Sequence, residues 1–327
     1  MREDLLDILR CPTCGSTLRL DAREQAGERI VQGTLWCDAC ERAFPIERGI
    51  PRFVARENYA ASFGAQWKRF RAAQLDRLNG TTLSERRLLG ETDLPREWWT
   101  GKVVLDVGCG AGRFVDVAAR LGARVVGLDY SEAVDAAAES LRAEPLVDLV
   151  QADIYAMPFA PGSFDAAYCI GVAQHTPDPM RAVAALAAPV RSGGQVVVTA
   201  YERRRATPFY SKYVVRRLLA PFSTAARLRL ITALMPILFP VTDVLFRLPI
   251  AGRLFRFAIP VANYVDLVEL SRDQRYEWAL LDTLDMLAPA FDRPLREGET
   301  VEALRGAGVE SIRRLPSPGL NLVGRRA

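Results

Sequence analysis

A chain of 327 residues is long enough for about two domains, and with 50% hydrophobic and 25% charged residues it has an ordinary globular composition that excludes a disordered or collagen-like protein. Six cysteines are too few for a disulfide scaffold. A net charge of +4 does not by itself indicate nucleic acid, and a mean hydropathy of +0.03 excludes a polytopic membrane protein. No apolar signal region precedes Cys11, so we expect a cytoplasmic protein.

Four of the cysteines form two C-x₂-C pairs, Cys11 with Cys14 and Cys37 with Cys40, separated by 22 residues. Four thiolates complete the tetrahedral coordination of zinc and make such a site structural rather than catalytic. Strand-like runs at 17–20 and 30–36 predict a hairpin that brings the pairs together. The spacing is slightly longer than usual, but inert cysteines or a redox pair fit less well. We therefore expect one structural zinc ion.

Two stretches frame these cysteines, LLDILRCP at 5–12 and FPIERGIP at 44–51. They resemble the small zinc-ribbon family that elsewhere serves as an activating subunit of methyltransferases, and the similarity covers residues 2 to about 54. The resemblance implies a module that stabilises the protein or docks a partner. We accordingly predict a zinc ribbon over residues 1–55 and a second domain over residues 56–327.

Apolar strand-like runs alternate with helical runs between residues 102 and 201. This alternation is typical of an α/β protein with a doubly wound, Rossmann-like parallel sheet. A helix and a closing pair of strands are predicted near the C-terminal end. The predicted strands are 102–107, 124–128, 146–150, 164–170, 195–199, 309–315 and 320–325, and the helices are 114–121, 131–141, 180–189 and 300–307.

The first of these strands runs into a glycine turn that contains Gly108, Gly110 and Gly112. A dinucleotide-binding turn has the spacing G-x-G-x-x-G and places pyrophosphate on a helix N-terminus. This chain has G-x-G-x-G, with Asp106 two residues before the first glycine. A carboxylate there repels pyrophosphate and favours a cationic ligand, such as the ammonium and sulfonium groups of S-adenosylmethionine (SAM). A tight turn without a ligand is the alternative.

Carboxylates also follow the next two strands. Asp129, beside Tyr130, ends the second strand, where an acid can accept hydrogen bonds from both ribose hydroxyls. Asp153 follows the third strand, where it can hold an adenine amino group beside the apolar Ile154. Each acid alone could be a helix cap or a solvated charge. Three acids at successive strand ends favour a single pocket, because open α/β sheets bind ligands at that edge.

The acid-plus-glycine turn and the ribose acid together resemble class I SAM-dependent methyltransferases, over about residues 60–327. The resemblance implies that the cofactor-binding residues are Asp106, Gly108, Gly110, Gly112, Asp129, Tyr130, Asp153, Ile154 and Gln174. Gln174 lies in the loop after the fourth strand, which faces the transferable methyl group in related small-molecule enzymes. The same loop holds His175, the single histidine of the chain. His175 is our candidate catalytic base, and packing against the cofactor is the alternative.

Residues 202–256 contain eleven basic and two acidic residues, a local net charge of +9 that leaves −5 for the rest of the chain. We predict a helical lid insertion over residues 202–276. The longest uncharged stretch, 230–242, holds two prolines and is shorter than the roughly 20 residues that span a bilayer. A basic, apolar lid could also rest on an anionic membrane or accept a lipid-like substrate, whereas its apolar content disfavours nucleic acid. Phe63, Trp67 and Phe70 are expected to cover the cofactor or to pack as core residues on the sheet edge.

The sequence therefore predicts a SAM-dependent methyltransferase with a small or amphipathic acceptor, methylated on oxygen, nitrogen or carbon. An rRNA or tRNA methyltransferase is one alternative, because some rRNA guanine methyltransferases also begin with a zinc ribbon. A zinc-ribbon adaptor that binds SAM and docks a partner is the other.

Overall fold

The computed structural model describes residues 1–54, 70 and 73–327. The N-terminal part forms a four-stranded antiparallel sheet in the order β1-β2-β3-β4. The predicted hairpin is present and turns at Gly27, whose φ of 60° suits a glycine. The strands are β1 (Arg19–Ala26), β2 (Arg29–Cys37), β3 (Arg42–Glu47) and β4 (Ile50–Pro51).

A seven-stranded sheet forms the centre of the molecule, in the order β10-β11-β9-β8-β5-β6-β7. Strands β5 to β9 are parallel, whereas β11 is antiparallel to β9 and to β10. The predicted doubly wound α/β fold is therefore confirmed, as is the closing strand pair. The strands are β5 (Val103–Val107), β6 (Arg124–Asp129), β7 (Val147–Gln151), β8 (Phe164–Ile170), β9 (Val190–Ala200), β10 (Val309–Arg314) and β11 (Leu320–Arg326).

Ten α-helices lie in the described part of the chain. They are α1 (Asp76–Asn79), α2 (Leu83–Thr92), α3 (Arg113–Arg120), α4 (Ala133–Ser140), α5 (Pro179–Ala185), α6 (Ser211–Leu219), α7 (Thr224–Leu245), α8 (Ala251–Ala258), α9 (Arg272–Leu287) and α10 (Glu297–Gly306). The expected helix over 180–189 is shorter than predicted, because β9 begins at Val190 and pairs there with Phe164.

The N-terminal sheet is joined to the edge of the central sheet at β7. Arg52 forms a parallel bridge with Gln151, and the Phe53 amide donates to the Gln151 carbonyl at 2.8 Å. Leu5 and Leu9 are fully buried in the same apolar cluster as Val126 of β6. One hydrophobic core therefore runs through both sheets, so the two parts stabilise each other.

A separate apolar cluster lies between α7 and α9. It includes Met235 and Phe239 of α7, Trp278 and Leu281 of α9, and Phe70. Phe70 is therefore a core residue, but it packs with α7 and α9 rather than on the sheet edge. Phe63 and Trp67 lie outside the described residues.

Helix α7 is not interrupted by its two prolines. It continues for 22 residues through Pro236 and Pro240. Each proline removes one backbone hydrogen bond, and the apolar face that packs on α9 holds the helix together. The segment Ala225–Leu245 is thus long and apolar enough to cross a membrane by length and composition alone, although core helices pass the same test.

Candidate active site

A cavity of about 1060 Å³ opens at the carboxyl ends of the parallel strands. Its floor is built from residues that follow β5, β6, β7, β8 and β9, and its walls come from α6, α9 and the end of α8. Pockets for one small ligand have volumes of roughly 300–1,000 Å³. The cavity is therefore large enough for two ligands side by side.

The glycine turn after β5 forms one end of this cavity. Gly108 and Gly112 have φ values of 81° and 88°, in the region that side chains disfavour. A Cβ atom on Gly108 would lie 2.4 Å from a methyl carbon of Val172, and one on Gly112 would lie 2.6 Å from a methyl carbon of Leu141. Only glycine fits these two positions, and the turn presents bare backbone to the cavity.

Asp129 holds this turn in place from the end of β6. Its carboxylate accepts hydrogen bonds from the amide of Gly110 at 2.9 Å and from the amide and hydroxyl of Ser131 at 2.8 and 2.7 Å. Burial raises the pKa of Asp129, while the bonds from Ser131 and Gly110 oppose that rise. The carboxylate both shapes the glycine turn and lines the cavity.

Asp106 lies behind the turn at 2% exposure. Within the described part of the chain, its buried Oδ2 atom has no hydrogen-bond partner. Burial first, and the nearby Asp129 second, raise the pKa of Asp106 well above its usual range. A buried carboxylate with an unsatisfied oxygen is stabilised by a cationic or hydrogen-bond-donating partner. The carboxylates of Asp106 and Asp129 at this end of the cavity therefore fit the cationic SAM.

Six of the nine predicted cofactor residues line the cavity: Gly108, Gly110, Asp129, Tyr130, Ile154 and Gln174. The side chain of Asp153 instead accepts the Tyr155 amide at 2.9 Å and caps a short 3₁₀ helix. The next residue in the chain, Ile154, lines the cavity. The structure thus places Asp106, Gly112 and Asp153 around the cavity rather than on its surface, and their ligand roles stay predictions.

His175 occupies the middle of the cavity wall and is 6% exposed. Its Nδ1 atom lies 3.0 Å from the carbonyl oxygen of Phe291, which selects the tautomer with hydrogen on Nδ1. Its Nε2 atom lies 3.7 Å from the carboxylate of Asp285. Burial lowers the pKa of His175, but Asp285 and the Phe291 carbonyl outweigh burial, so the pKa is raised above its ordinary value.

Polar residues that the motif analysis missed surround the histidine. The ring of Tyr201 packs edge-on against His175, and its hydroxyl lies 3.4 Å from Asp285. Lys212 of α6 forms a buried ion pair with Asp292 at 2.9 Å, and its ammonium lies 4.1 Å from the centre of the Tyr201 ring. Tyr201 directly follows β9, so the strand-end rule that identified Asp129 would have found it.

A second missed group lies on the opposite wall, where α9 faces α3. Asp282 bonds the Tyr264 hydroxyl and accepts from Gln74 at 3.2 Å. Arg113 at the start of α3 donates to Gln74 at 3.0 Å, and burial together with Arg87 lowers its pKa to about 10. The spacing of Asp282 and Asp285 along an apolar helix face is the sequence signal for an acid pair that points inward.

The four cysteines of the N-terminal sheet form a compact cluster away from the cavity. The sulfurs of Cys11 and Cys40 are 3.5 Å apart, those of Cys14 and Cys37 are 3.4 Å apart, and all four lie within 4.8 Å of one another. Tetrahedral zinc with bonds near 2.3 Å separates its sulfurs by about 3.8 Å. The cluster therefore fits a closed zinc site.

Two family models match this chain. Residues 105–198 match the model described as a methyltransferase domain, and residues 2–49 match the model described as Trm112p-like protein. The two matches fall on the central sheet with its cavity and on the N-terminal sheet with its cysteines. The resemblance predicted from the glycine turn and the one predicted from the cysteine pairs are both confirmed.

Curated relatives match about a third of the chain. The ubiquinone biosynthesis O-methyltransferase of Pseudomonas paraeruginosa is 39% identical over 106 residues, which are 32% of this chain and 46% of that protein. The protein of the same name from Albidiferax ferrireducens is 38% identical over 107 residues, 32% of this chain and 42% of that protein. The matches thus cover less than half of the length of these relatives.

Solved structures also match this chain, at low identity. A complex of the Haloferax volcanii Trm112 methyltransferase activator with a putative methyltransferase is 14% identical, with 83% of this chain and 97% of that chain covered and a TM-score of 0.45. A putative S-adenosyl-L-methionine-dependent methyltransferase from Methanococcus maripaludis is 12% identical, with 84% and 96% covered and a TM-score of 0.44.

Proposed function

We propose that this chain, which carries a methyltransferase domain behind a Trm112p-like zinc ribbon, transfers a methyl group from SAM to a small or amphipathic organic acceptor. The observation that carries the proposal is a single cavity with two chemically different ends. One end has the glycine turn, Asp129 and the buried Asp106. The other has His175, Tyr201 and Asp285.

The cofactor end is suited to SAM. Bound SAM supplies a methyl group that its positive sulfur has already activated. Asp129 would hold the ribose, Ile154 would contact the adenine, and Asp106 would favour the positive charge behind the glycine turn. Arg113 lies on the same side of the cavity, where a guanidinium can hold the methionine carboxylate.

The acceptor end is suited to a hydroxyl group. With hydrogen on Nδ1, the Nε2 atom of His175 can take a proton from the acceptor, and Asp285 stabilises the imidazolium that forms. Positioning of the acceptor in line with the methyl group supplies the rest of the catalysis. An oxygen acceptor also agrees with the names of the curated relatives.

Calorimetry tests the cofactor assignment. We expect SAM and its demethylated product to bind and NAD not to bind. NAD binding as tight as that of SAM would overturn the interpretation of the glycine turn. Turnover of any acceptor would exclude the alternative of an adaptor that only binds SAM.

The proposal includes a lipid-like acceptor and a cytoplasmic protein in peripheral contact with a membrane through residues 202–256. In support, the basic, apolar segment supplies Tyr210, Lys212 and Tyr213 to the cavity wall, and Phe257, which directly follows the segment, also lines it. An acceptor with a long apolar part would therefore lie against this segment. Methylation of RNA is the competing outcome, which tight binding of structured RNA at physiological salt would favour.

A further inference from the structure

Helix α7 has two apolar faces, and only one of them is covered. Ile231, Met235, Phe239 and Thr242 are buried on the side that packs against α9. A second stripe is exposed and repeats at helical spacing: Leu230, Leu234, Ile237, Val241 and Val244. Ile237 and Val244 of this stripe are 66% and 64% exposed. A soluble surface rarely carries an apolar stripe of this length.

The helices on either side of α7 continue this feature. Val214 and Leu218 are exposed one turn apart on α6, and Phe222 follows one turn later. Leu254 and Phe257 are exposed one turn apart on α8, and Ile250 lies directly before this helix, with Ile250 90% exposed and Leu254 70% exposed. We call the exposed apolar side chains on and between α6, α7 and α8, from Val214 to Phe257, the apolar surface.

Arginines accompany the apolar surface on all three helices. Arg217, Arg229 and Arg253 are exposed and each directly precedes an exposed leucine, Leu218, Leu230 and Leu254. Adjacent helical residues point about 100° apart, so each arginine lies at the edge of its apolar stripe. Within the described residues none of these three arginines forms an ion pair with an acid. Apolar stripes edged by free cations are typical of helices that lie in a membrane interface.

The surroundings of α7 indicate that it lies on a bilayer rather than crosses it. Its inner face packs on α9, and α9 carries many charged side chains, among them Arg275 and Asp282. Arg275 pairs with Asp243 of α7 at 2.5 Å. A crossing helix would draw these charges into hydrocarbon, which is costly.

The apolar surface adjoins the cavity. Phe257, the last residue of the α8 stripe, lines the cavity, as do Tyr210 and Tyr213 at the start of α6. The rings of Tyr210 and Phe257 are in contact, with centroids 5.3 Å apart. The same side chains therefore belong to the cavity wall and to the edge of the apolar surface.

We infer that the apolar surface docks on an anionic phospholipid bilayer, with its leucines in the acyl boundary and its arginines at the headgroups. A bilayer fits better than a second copy of the chain, because residues 202–256, which contain most of this surface, have a net charge of +9 and two such segments repel each other. A further part of the inference rests on the proposed function: the methyl acceptor is an amphipathic molecule that passes from the bilayer to the cavity beside Phe257.

Vesicle flotation tests the docking with the full chain. We expect binding to vesicles of equal parts phosphatidylglycerol and phosphatidylcholine and much weaker binding to phosphatidylcholine alone. Leu234→Glu with Ile237→Glu should lower the partition at least tenfold. Arg217→Gln, Arg229→Gln and Arg253→Gln together should lower it by about 100-fold, since one arginine near an anionic surface contributes about fivefold. Leu78→Glu is the matched control, because Leu78 is 56% exposed on α1, outside the apolar surface, and should change nothing.

Circular dichroism and SAM calorimetry on each variant show whether the fold and the cofactor site are intact. Equal vesicle binding by the wild type and both surface variants would overturn the inference. Tighter binding to structured RNA than to anionic vesicles would also overturn it. So would a dimer in solution that the double substitution Leu234→Glu with Ile237→Glu dissociates. Vesicle binding without SAM binding would refute the proposed function and leave the docking intact. SAM binding without vesicle binding would refute the docking, and with it the peripheral membrane contact, and would leave methyl transfer from SAM as the proposed function.

Discussion

Asp129 shows at the scale of one residue how a single carboxylate serves structure and binding together. It accepts from Gly110 and Ser131, and it also faces the cavity. We expect Asp129→Ala to weaken SAM binding by about 1–3 kcal/mol, because ribose hydroxyls lose their acceptor and the glycine turn loses an anchor. Calorimetry measures the loss. Asp21→Ala, an exposed acid of β1, is the control, and equal affinities for the two variants would contradict the role of Asp129.

The pKa of His175 can be measured directly, since it is the single histidine of the chain. We expect proton NMR to give a pKa above the ordinary value of about 6.5, because the effects of Asp285 and the Phe291 carbonyl exceed that of burial. Asp285→Asn should lower the pKa of His175. Asp165→Asn should not, because Asp165 lies at the amino end of β8, whereas the cavity lies at the carboxyl ends of the strands. A His175 pKa that is insensitive to Asp285→Asn would refute the pairing.

A pH dependence follows from the sign of that shift. A general base works in its neutral form, so methyl transfer should fall as the pH drops through the raised pKa of His175. The acid limb of the rate profile should move to lower pH in Asp285→Asn, because the imidazole then stays neutral in more acidic solution. An acid limb at the same pH in both proteins would assign the limb to another group.

At the scale of elements, Arg52 is the link between the N-terminal sheet and the central one. Its guanidinium lies 2.7 Å from Asp135 of α4 and 2.8 Å from the side-chain oxygen of Gln151, and the Arg52 and Asp135 side chains are both 4% exposed. The side-chain amide of Gln151 donates in turn to the Tyr130 carbonyl at 3.2 Å. The N-terminal sheet is thus connected through buried polar contacts to Tyr130, which directly follows Asp129, the predicted ribose-binding acid.

Removal of Arg52 should be costly. We expect Arg52→Ala to lower the free energy of unfolding by about 3–5 kcal/mol, since it leaves a buried carboxylate poorly compensated. Arg48 contacts the same Asp135 at 2.7 Å but is 62% exposed, so Arg48→Ala should cost about 0–1 kcal/mol. Urea denaturation compares the two variants. Similar losses for both would show that burial does not set the strength of this link.

At the scale of the whole molecule, zinc should stabilise both parts of the chain. Elemental analysis should find one zinc ion per chain, because four clustered thiols are a complete ligand set. Chelation or Cys14→Ser should lower the temperature of one cooperative transition, since the core is continuous from Leu5 to Val126. A central sheet that melts at an unchanged temperature after zinc removal would refute this coupling.

The parts of the fold that follow local rules could be predicted from the sequence. Strand and helix periodicity depends on neighbouring residues, so β5 to β8 lie within two residues of their expected bounds. The glycine turn and the cysteine pairs are also local, because spacing alone places backbone amides or thiolates together. The predicted start of β9 was wrong by five residues, since its first part is held by pairing with β8 rather than by an apolar run.

The sequence by itself determined the class of the sheet and the clustering of the four cysteines, and it predicted the residues of the cofactor end of the cavity, since each is written in short local motifs. Only the tertiary structure brought the acceptor end together, where Tyr201 after β9, Lys212 of α6 and Asp285 of α9 line one cavity. The tertiary structure also decided that α9 buries one apolar face of α7 while the other face stays exposed. Composition measures how apolar a helix is, but which side is buried depends on what packs against it. The contacts that answer this question join residues far apart in the chain.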